Sequence, residues 1–446
     1  MTAPIIELVE YQARRNAILT QMTCNSACVI SANKLLTRSN DTEYVFRQDS
    51  YFWYLTGFNE PDAILVLLKS ATGLGSCIMF CQPKDALAEI WHGRRLGCLA
   101  AVEQLGLDDA FDNTDIDSAL PALLSGVDAV YSLYQQTHLQ TRLNHMITAL
   151  KQVPKKSDLA PSQLIDCQAW LDQMRLLKSP AELAIMQAVA DISADAHRVT
   201  MQYCQSGMNE YQLEAQIQYQ FAVHGARSPA YTTIVGGGAN ACILHYTDNN
   251  QTLRDGDLVL IDAGGELQGY AADITRTFPV NGKFSAQQAA LYDIVLQAQL
   301  VAIDCLQPNT FITDANTACV EVLTQGLLEL GVLTGTLADN LEQLTYRQYF
   351  MHGLGHYLGL DVHDVGAYAV KGHSCALQPG TVMTVEPGLY IAPGSPCPAE
   401  FHGIGIRIED NIVITNEGNH VLTHAVPKDR LEIEALMSTV RELSRQ

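Results

Sequence analysis

From Leu258 to Asp410 the chain repeatedly sets an acidic residue at the end of, or inside, an apolar run. Leu258-Val259-Leu260-Ile261 leads to Asp262, and Thr381-Val382-Met383-Thr384-Val385 leads to Glu386 and a Pro387-Gly388 stop. Gly405-Ile406-Arg407-Ile408 leads to Glu409, and Asp273 lies within Tyr270 to Phe278. Short apolar runs bounded by Gly and Pro read as strands. A carboxylate carried into a sheet on such a strand is costly unless it meets a compensating charge. If the chain turns back at Leu267-Gln268, Asp262 and Asp273 fall opposite each other, roughly 5 Å apart on one face. Like charges that close call for a cation between them. The bland alternative is a solvated hairpin with two surface acids, and the wholly apolar strand before Asp262 speaks against it.

Between these strands, His352 to Asp364 packs three imidazoles, His352, His356 and His363, into twelve positions interleaved with glycine. A lone His is usually structural; three in one Gly-rich segment are more often ligands and proton carriers. This is not the helical metalloprotease motif, because no Glu follows the first His. Four carboxylates balance two divalent cations, with one His to complete the set. Such a pair of ions can acidify a shared water and steady a transition state from both sides. An oxygen-rich set with one imidazole and no thiolate favours Mn²⁺ over a structural Zn²⁺, although Co²⁺ or Zn²⁺ can also bind such donors. Arg407 and Glu409 are two apart and share a strand face.

The rest of the chain sets the frame. At 446 residues it is too long for one core. The first part alternates short apolar runs, such as 63–68, 77–80 and 127–131, with helical stretches, so an α/β domain is expected over 1–172. Ser179-Pro180-Ala181-Glu182 is a helix start with a capping box, and Asn209 opens a second helix. Two helices followed by many strands make 173–446 an α+β domain. Gly236-Gly237-Gly238 lacks the spacing of a phosphate loop and is read as a close backbone approach to substrate. The formal charge is -21, from 27 Lys+Arg against 48 Asp+Glu, which argues against nucleic acid and membrane partners. The start of the chain has no basic stretch before an apolar run, and no apolar stretch approaches the ~20 residues of a membrane span, so a cytoplasmic location is expected. The 12 Cys are scattered, without zinc-site spacing, and are read mostly as small buried hydrophobes.

The ordered set Asp262, Asp273, His356, Glu386, Glu409 resembles the metallopeptidases of the pita-bread fold, and the segments around His352, Glu386 and Glu409 resemble their proline-specific branch. Tyr44 to Pro61 and Glu89-Ile90-Trp91-His92-Gly93-Arg94-Arg95-Leu96-Gly97 further resemble the Xaa-Pro aminopeptidases. The resemblance implies a creatinase/prolidase-like α/β domain for oligomerisation and substrate access, followed by a pita-bread catalytic domain. It implies two metal ions bridged by Asp273 and Glu409, with Asp262 on one and His356 and Glu386 on the other. A hydroxide shared by the ions would attack the carbonyl before proline, with Glu386 taking up the proton. His245, His352 and His363 would meet the substrate and the tetrahedral oxyanion. Arg407 would steady Glu409 and the proline side, and Tyr390 would line the same pocket. In the family's tetramers Trp91 would reach a neighbouring subunit's site; its other reading is an ordinary core Trp. The substrate implied is a peptide with N-terminal Xaa-Pro, and the assembly a homo-oligomer, dimer or tetramer. Two alternatives stand beside this: a dipeptidase for Xaa-Pro (prolidase), and a silent pita-bread module that only binds.

Overall fold

The computed structural model describes residues 4–154 and 159–443; the first three residues, part of the stretch read against a leader, lie outside them. The chain forms two compact units, Ile5–Arg175 and a second beginning at Leu176.

The first unit is built on a mixed six-stranded sheet. Its strands are β1 (Ser26–Ser31), β2 (Ile64–Lys69), β3 (Gly75–Cys81), β4 (Asp109–Asp112), β5 (Ala129–Ser132) and β6 (Gln163–Asp166), in the order β4-β3-β2-β1-β5-β6. The apolar runs at 63–68 and 77–80 pair antiparallel, Lys69 against Gly75. Alternation puts Ala27, Val29, Ile64, Val66, Ile78, Phe80 and Val130 on one face. The helices of this unit include α1 (Leu8–Gln21), α2 (Ser50–Thr56), α3 (Ala86–His92), α4 (Cys98–Leu105), α5 (Ile116–Leu124) and α6 (Thr137–Gln152). Ile116, Leu120 and Leu124 of α5, with Leu139, Leu143 and Met146 of α6, close the core over that face. Two buried arginines of α1 serve as caps for α2: Arg14 donates to Tyr54 O at 3.0 Å and Arg15 to Leu55 O at 3.1 Å. Those carbonyls have no partner within the last turn of a helix.

The second unit opens on α7 (Pro180–Tyr203) and α8 (Glu210–Val223). Both begin with the reciprocal caps expected of their sequences, Ser179 with Glu182 and Asn209 with Gln212. One antiparallel ladder joins β7 (Ile234–Gly237), β8 (Leu258–Asp262) and a later strand through β8; the short β9 (Gly265–Leu267) and β10 (Tyr270–Ala271) pair with each other, and β11 (Thr275–Pro279) is that later strand. The turn falls on Gln268 and Gly269, with φ of 51° and 83°, the two-residue type that needs positive φ twice. That moves the register from the expected one. Asp262 faces Thr275, and Asp273 lies two residues from Thr275 in the break before β11, so the two acids are diagonal neighbours rather than direct partners. The glycine run at 236–238 does not line the site: a Cβ on Gly236 would meet Ala241 N at 3.0 Å and one on Gly237 would meet Leu253. Its close approach is to the protein itself.

The helices α9 (Ala286–Cys305) and α10 (Ile312–Glu329) pack on each other. After them come β12 (Val382–Val385), β13 (Gly388–Ile391), β14 (Ile404–Arg407), β15 (Asp410–Ile414) and β16 (Asn419–Val421). Strand pairing resumes beyond the Pro387-Gly388 stop and beyond Glu409, and the two breaks match. Val385 pairs with Asp410 on one side and Gly388 with Arg407 on the other, leaving Glu386-Pro387 opposite Ile408-Glu409. Pro387 has no N–H to continue the ladder. The carbonyls freed at the breaks are not left bare: buried Gln299 of α9 donates to Val385 O at 3.3 Å and Ile408 O at 3.2 Å. Arg276 donates to Glu409 O at 2.5 Å and is paired with Asp410 at 2.7 Å. Among the described residues, no helix is long and apolar enough to cross a membrane.

Candidate metal centre

Four broken or ending strands and one Gly-rich loop bring their functional residues into a single cavity of about 520 Å³. Asp262, Asp273, His356, Glu386 and Glu409 line it, together with His245, His352, His363 and Arg407. The His loop is held along β12 like an extra irregular strand. Thr384 N donates to His356 O at 2.8 Å, Glu386 N to Leu354 O at 2.8 Å and Leu358 N to Val382 O at 3.0 Å. Gly355 is needed for this approach, because a Cβ there would stand 2.1 Å from Thr384 O.

The donors converge. Ligand atoms of Asp273, His356 and Glu409 all lie within 4.8 Å of one another. His356 Nε2 is 3.3 Å from Asp273 and 3.6 Å from Glu386. The other ring nitrogen, Nδ1, sits 3.0 Å from the Tyr357 carbonyl, which can only accept, so Nδ1 carries a hydrogen and Nε2 is the nitrogen presented to the carboxylates. Glu409 is tied down by Thr275, whose hydroxyl donates to it at 2.7 Å and whose carbonyl accepts its N–H.

Arg407 does not touch Glu409 directly. Its Nη2 donates to Asp262 at 2.6 Å, its Nε to the Thr275 hydroxyl at 3.1 Å and its Nη1 to the Tyr390 hydroxyl at 3.0 Å. It reaches Glu409 only through Thr275. Tyr390 continues the chain to His352 Nε2 at 2.8 Å. His363 stands edge-on to His356, with ring centres 4.3 Å apart, and His245 is exposed at the cavity. Trp91 belongs to the first unit and is 77% exposed on α3, which excludes the reading of an ordinary core Trp.

One member was not found from the sequence. The Tyr231 hydroxyl lies 2.6 Å from Oδ1 of Asp262 and 2.6 Å from Oδ1 of Asp273. Nothing in its neighbourhood, Ser228-Pro229-Ala230-Tyr231-Thr232, marks it, because its role comes from folding α8 and β7 beside β8. A phenol has one hydrogen and can donate to only one of the two oxygens at a time. The pair of acids therefore still needs positive charge.

The electrostatics say the same. Burial, then Asp273, Glu386 and Asp262, push Glu409 well above the usual carboxylate range, and burial likewise raises Asp273. Glu386 is lifted by burial to about 7. Burial opposes a charge on His356, yet Asp273 and Glu386 outweigh it and raise the ring to about 9. Four acids against one guanidinium are short of cations, and hard oxygen donors with one imidazole suit divalent ions. By contrast, burial lowers His352 to about 4, and burial with His356 lowers His363, so both rings are neutral near pH 7.

Residues 184–416 match the Metallopeptidase family M24, and residues 11–131 match the Aminopeptidase P, N-terminal domain. The chain belongs to the M24 metallopeptidases. It is 48% identical to the Xaa-Pro aminopeptidase of Escherichia coli (strain K12), over 97% of this chain and 98% of that one. With the Xaa-Pro aminopeptidase of Haemophilus influenzae it shares 46% identity over 96% and 97% of the two chains. Its fold is similar to solved E. coli aminopeptidase P with the inhibitor Pro-Leu, at TM-score 0.96 and 48% identity, covering 98% and 99% of the chains. It is equally similar to proline aminopeptidase P II from Yersinia pestis, at TM-score 0.95 and 49% identity, covering 97% and 100%. The M24 chain described here thus carries an aminopeptidase P-type α/β domain followed by a pita-bread metallopeptidase domain.

Proposed function

We propose that this M24 enzyme removes the first residue from peptides whose second residue is proline, using two divalent cations, with Mn²⁺ as the working metal. The observation that supports this best is a combination. The aminopeptidase P N-terminal domain and a full acid–imidazole set occur in one chain that matches Xaa-Pro aminopeptidases end to end.

In this reading Asp273 and Glu409 would serve both ions, Asp262 would help hold one, and His356 and Glu386 the other. Bound there, the ions supply an acidified water and neutralise charge growing on the scissile carbonyl. The protein does the rest. Glu386, at the wall of the cavity, accepts the proton of the attacking water. An Xaa-Pro bond is a tertiary amide, so its ring nitrogen must gain a proton to leave. Glu386 returns the proton it took. Neutral His363 donates to the carbonyl oxygen as it becomes an oxyanion. His245 meets the amino end of the peptide, while His352, Tyr390 and Arg407, already bonded in series, shape the proline side. Trp91, exposed on α3, is read as a residue supplied to a neighbouring subunit's site in a dimer or tetramer.

Product analysis on Xaa-Pro-Yaa tripeptides and Xaa-Pro dipeptides, with and without added Mn²⁺, tests the reading. Metal-stimulated release of Xaa from the tripeptide is expected. Cleavage of dipeptides alone would make the chain a prolidase, and no turnover with no bound metal would make it a binding module.

A further inference from the structure

Two pairs of thiols in the first unit lie in contact. Cys28 and Cys167 have their sulfurs 3.9 Å apart, and both residues are buried. Cys81 and Cys98 have theirs 3.8 Å apart, and here one partner is open to solvent: Cys81 is buried and Cys98 half-buried. Cys81 is the last residue of β3 and Cys98 the first of α4.

Between them the chain makes a sixteen-residue excursion, Gln82 to Gly97, which carries α3 and Trp91. Nothing in α3 is buried, and Leu87, Ile90 and Trp91 all face solvent. Its polar ties include internal ones, Lys84 to Glu89 at 3.2 Å, Arg95 N to Glu89 at 3.3 Å and the Arg95 side chain to Pro83 O at 3.4 Å, and Leu96 N to Glu60 at 2.6 Å, which ties it to the rest of the unit. Gly93, at φ 88°, and Gly97, at φ 76°, interrupt it, and a Cβ on Gly93 would meet nothing. An excursion so loosely held can shift without disturbing the sheet beneath it. A disulfide needs its sulfurs at ~2.05 Å, so the existing contact must tighten by somewhat less than 2 Å, within reach of side-chain rotation.

We propose that Cys81 and Cys98 are a modification site: a dithiol that closes to a reversible disulfide under hydroperoxides and cinches the base of the Trp91 excursion. Cys98 is the entry point because solvent reaches it. Its sulfur attacks the peroxide, the O–O bond breaks, and Cys98 sulfenic acid and water form. The Cys81 sulfur then attacks the sulfenic sulfur, the S–S bond forms, and the departing hydroxide takes the Cys81 proton as a second water. Two thiols and one H₂O₂ give one disulfide and two waters. Burial, with Cys98 beside it, pushes the Cys81 thiol well up, so Cys81 is not the sulfur that meets the peroxide first. Cys28–Cys167 has the same contact without the access and serves as an internal comparison.

The test uses the full-length protein treated with graded H₂O₂, blocked with an alkylating agent and digested without reduction. A cross-linked peptide joining Cys81 to Cys98 is expected, lighter by two hydrogens, lost on addition of dithiothreitol and absent in Cys98→Ser. It should form at doses that leave Cys28 and Cys167 unlinked. Limited proteolysis within 82–97 should slow several-fold on oxidation and recover on reduction. If Cys98 advances to sulfinic or sulfonic acid with Cys81 still alkylatable after unfolding, the proposal fails. It fails equally if the cross-link forms and cleavage of the excursion is unchanged.

Discussion

Single residues decide whether this site can work at all. Glu409 is fully buried, and three other acids face it, so it has no structural reason to be a carboxylate other than to meet a cation. Glu409→Ala should lower kcat by on the order of 10³-fold or more and cut the bound-metal stoichiometry, with circular dichroism unchanged. Wild-type turnover in that variant would remove Glu409 from the site. Tyr231 makes a subtler case. Its hydroxyl lies 2.6 Å from both Asp262 and Asp273, so by donating to one of them it orients that carboxylate against its neighbour. Tyr231→Phe keeps the ring and should weaken metal binding or activity by roughly 10–100-fold. Titration with Mn²⁺ should recover part of the activity if the residue acts by orientation; a loss that no metal concentration relieves would contradict that.

At the level of elements, the matched breaks between β12/β13 and β14/β15 are what put Glu386 and Glu409 into the cavity. Such a break has to find partners for the backbone groups it frees, and Gln299 supplies them from a helix packed behind the sheet. Gln299→Leu has nearly the right volume but leaves the Val385 and Ile408 carbonyls without this donor, while the Asp410 oxygen it also reaches keeps Lys428. A loss of about 1–3 kcal/mol is expected per unsatisfied group at most, read as a lower thermal midpoint, with kcat falling further than the stability change alone would explain. Proportional loss of folded fraction and rate would make the contact merely structural. These elements also mark how far the sequence could be read. The apolar runs before Asp262, Glu386 and Glu409 were legible, as were the caps at Ser179 and Asn209, because period and capping are local signals. The Pro387-Gly388 stop was legible, but not that pairing resumes after it, nor the matching break at Ile408-Glu409, where the apolar pattern runs straight through. The Asp262–Asp273 register was misplaced because a tight turn at Gln268-Gly269 gives no strong sequence mark beyond one glycine. Tyr231 and Gln299 were invisible, as each acquires its role from residues distant in sequence.

For the molecule as a whole, acid should be the weak side, and one buried ring shows why. His197, on α7, donates from Nε2 to the Ala263 carbonyl at 2.9 Å, while its Nδ1 has no partner among the described residues. Burial, with Arg276 nearby and against the pull of Asp262, lowers it from 6.5 to about 4. A ring held neutral by the fold takes up a proton more readily when unfolded. Its contribution is therefore complete above about pH 6.5 and is lost as pH falls toward 4, amounting to about 3 kcal/mol. From pH 8 to pH 5 the urea midpoint of His197→Gln should gain on that of the wild type; an unchanged difference would exclude the ring as a source of acid sensitivity. The carboxylates bear on a different matter, the order of events when the protein is made. Asp262 and its partner Arg407 are 145 residues apart in the chain, and contacts that distant form late because a long loop must close first. A growing polypeptide therefore holds Asp262, Asp273, His356 and even Glu386 before it has the last acid and the guanidinium that go with them. On the proposed reading, peptide cleavage begins only once the segment bearing Arg407 and Glu409 has emerged and closed over the rest. On refolding from denaturant, catalysis should accordingly return after the helical signal, which makes hydrolysis itself the clock for the final step.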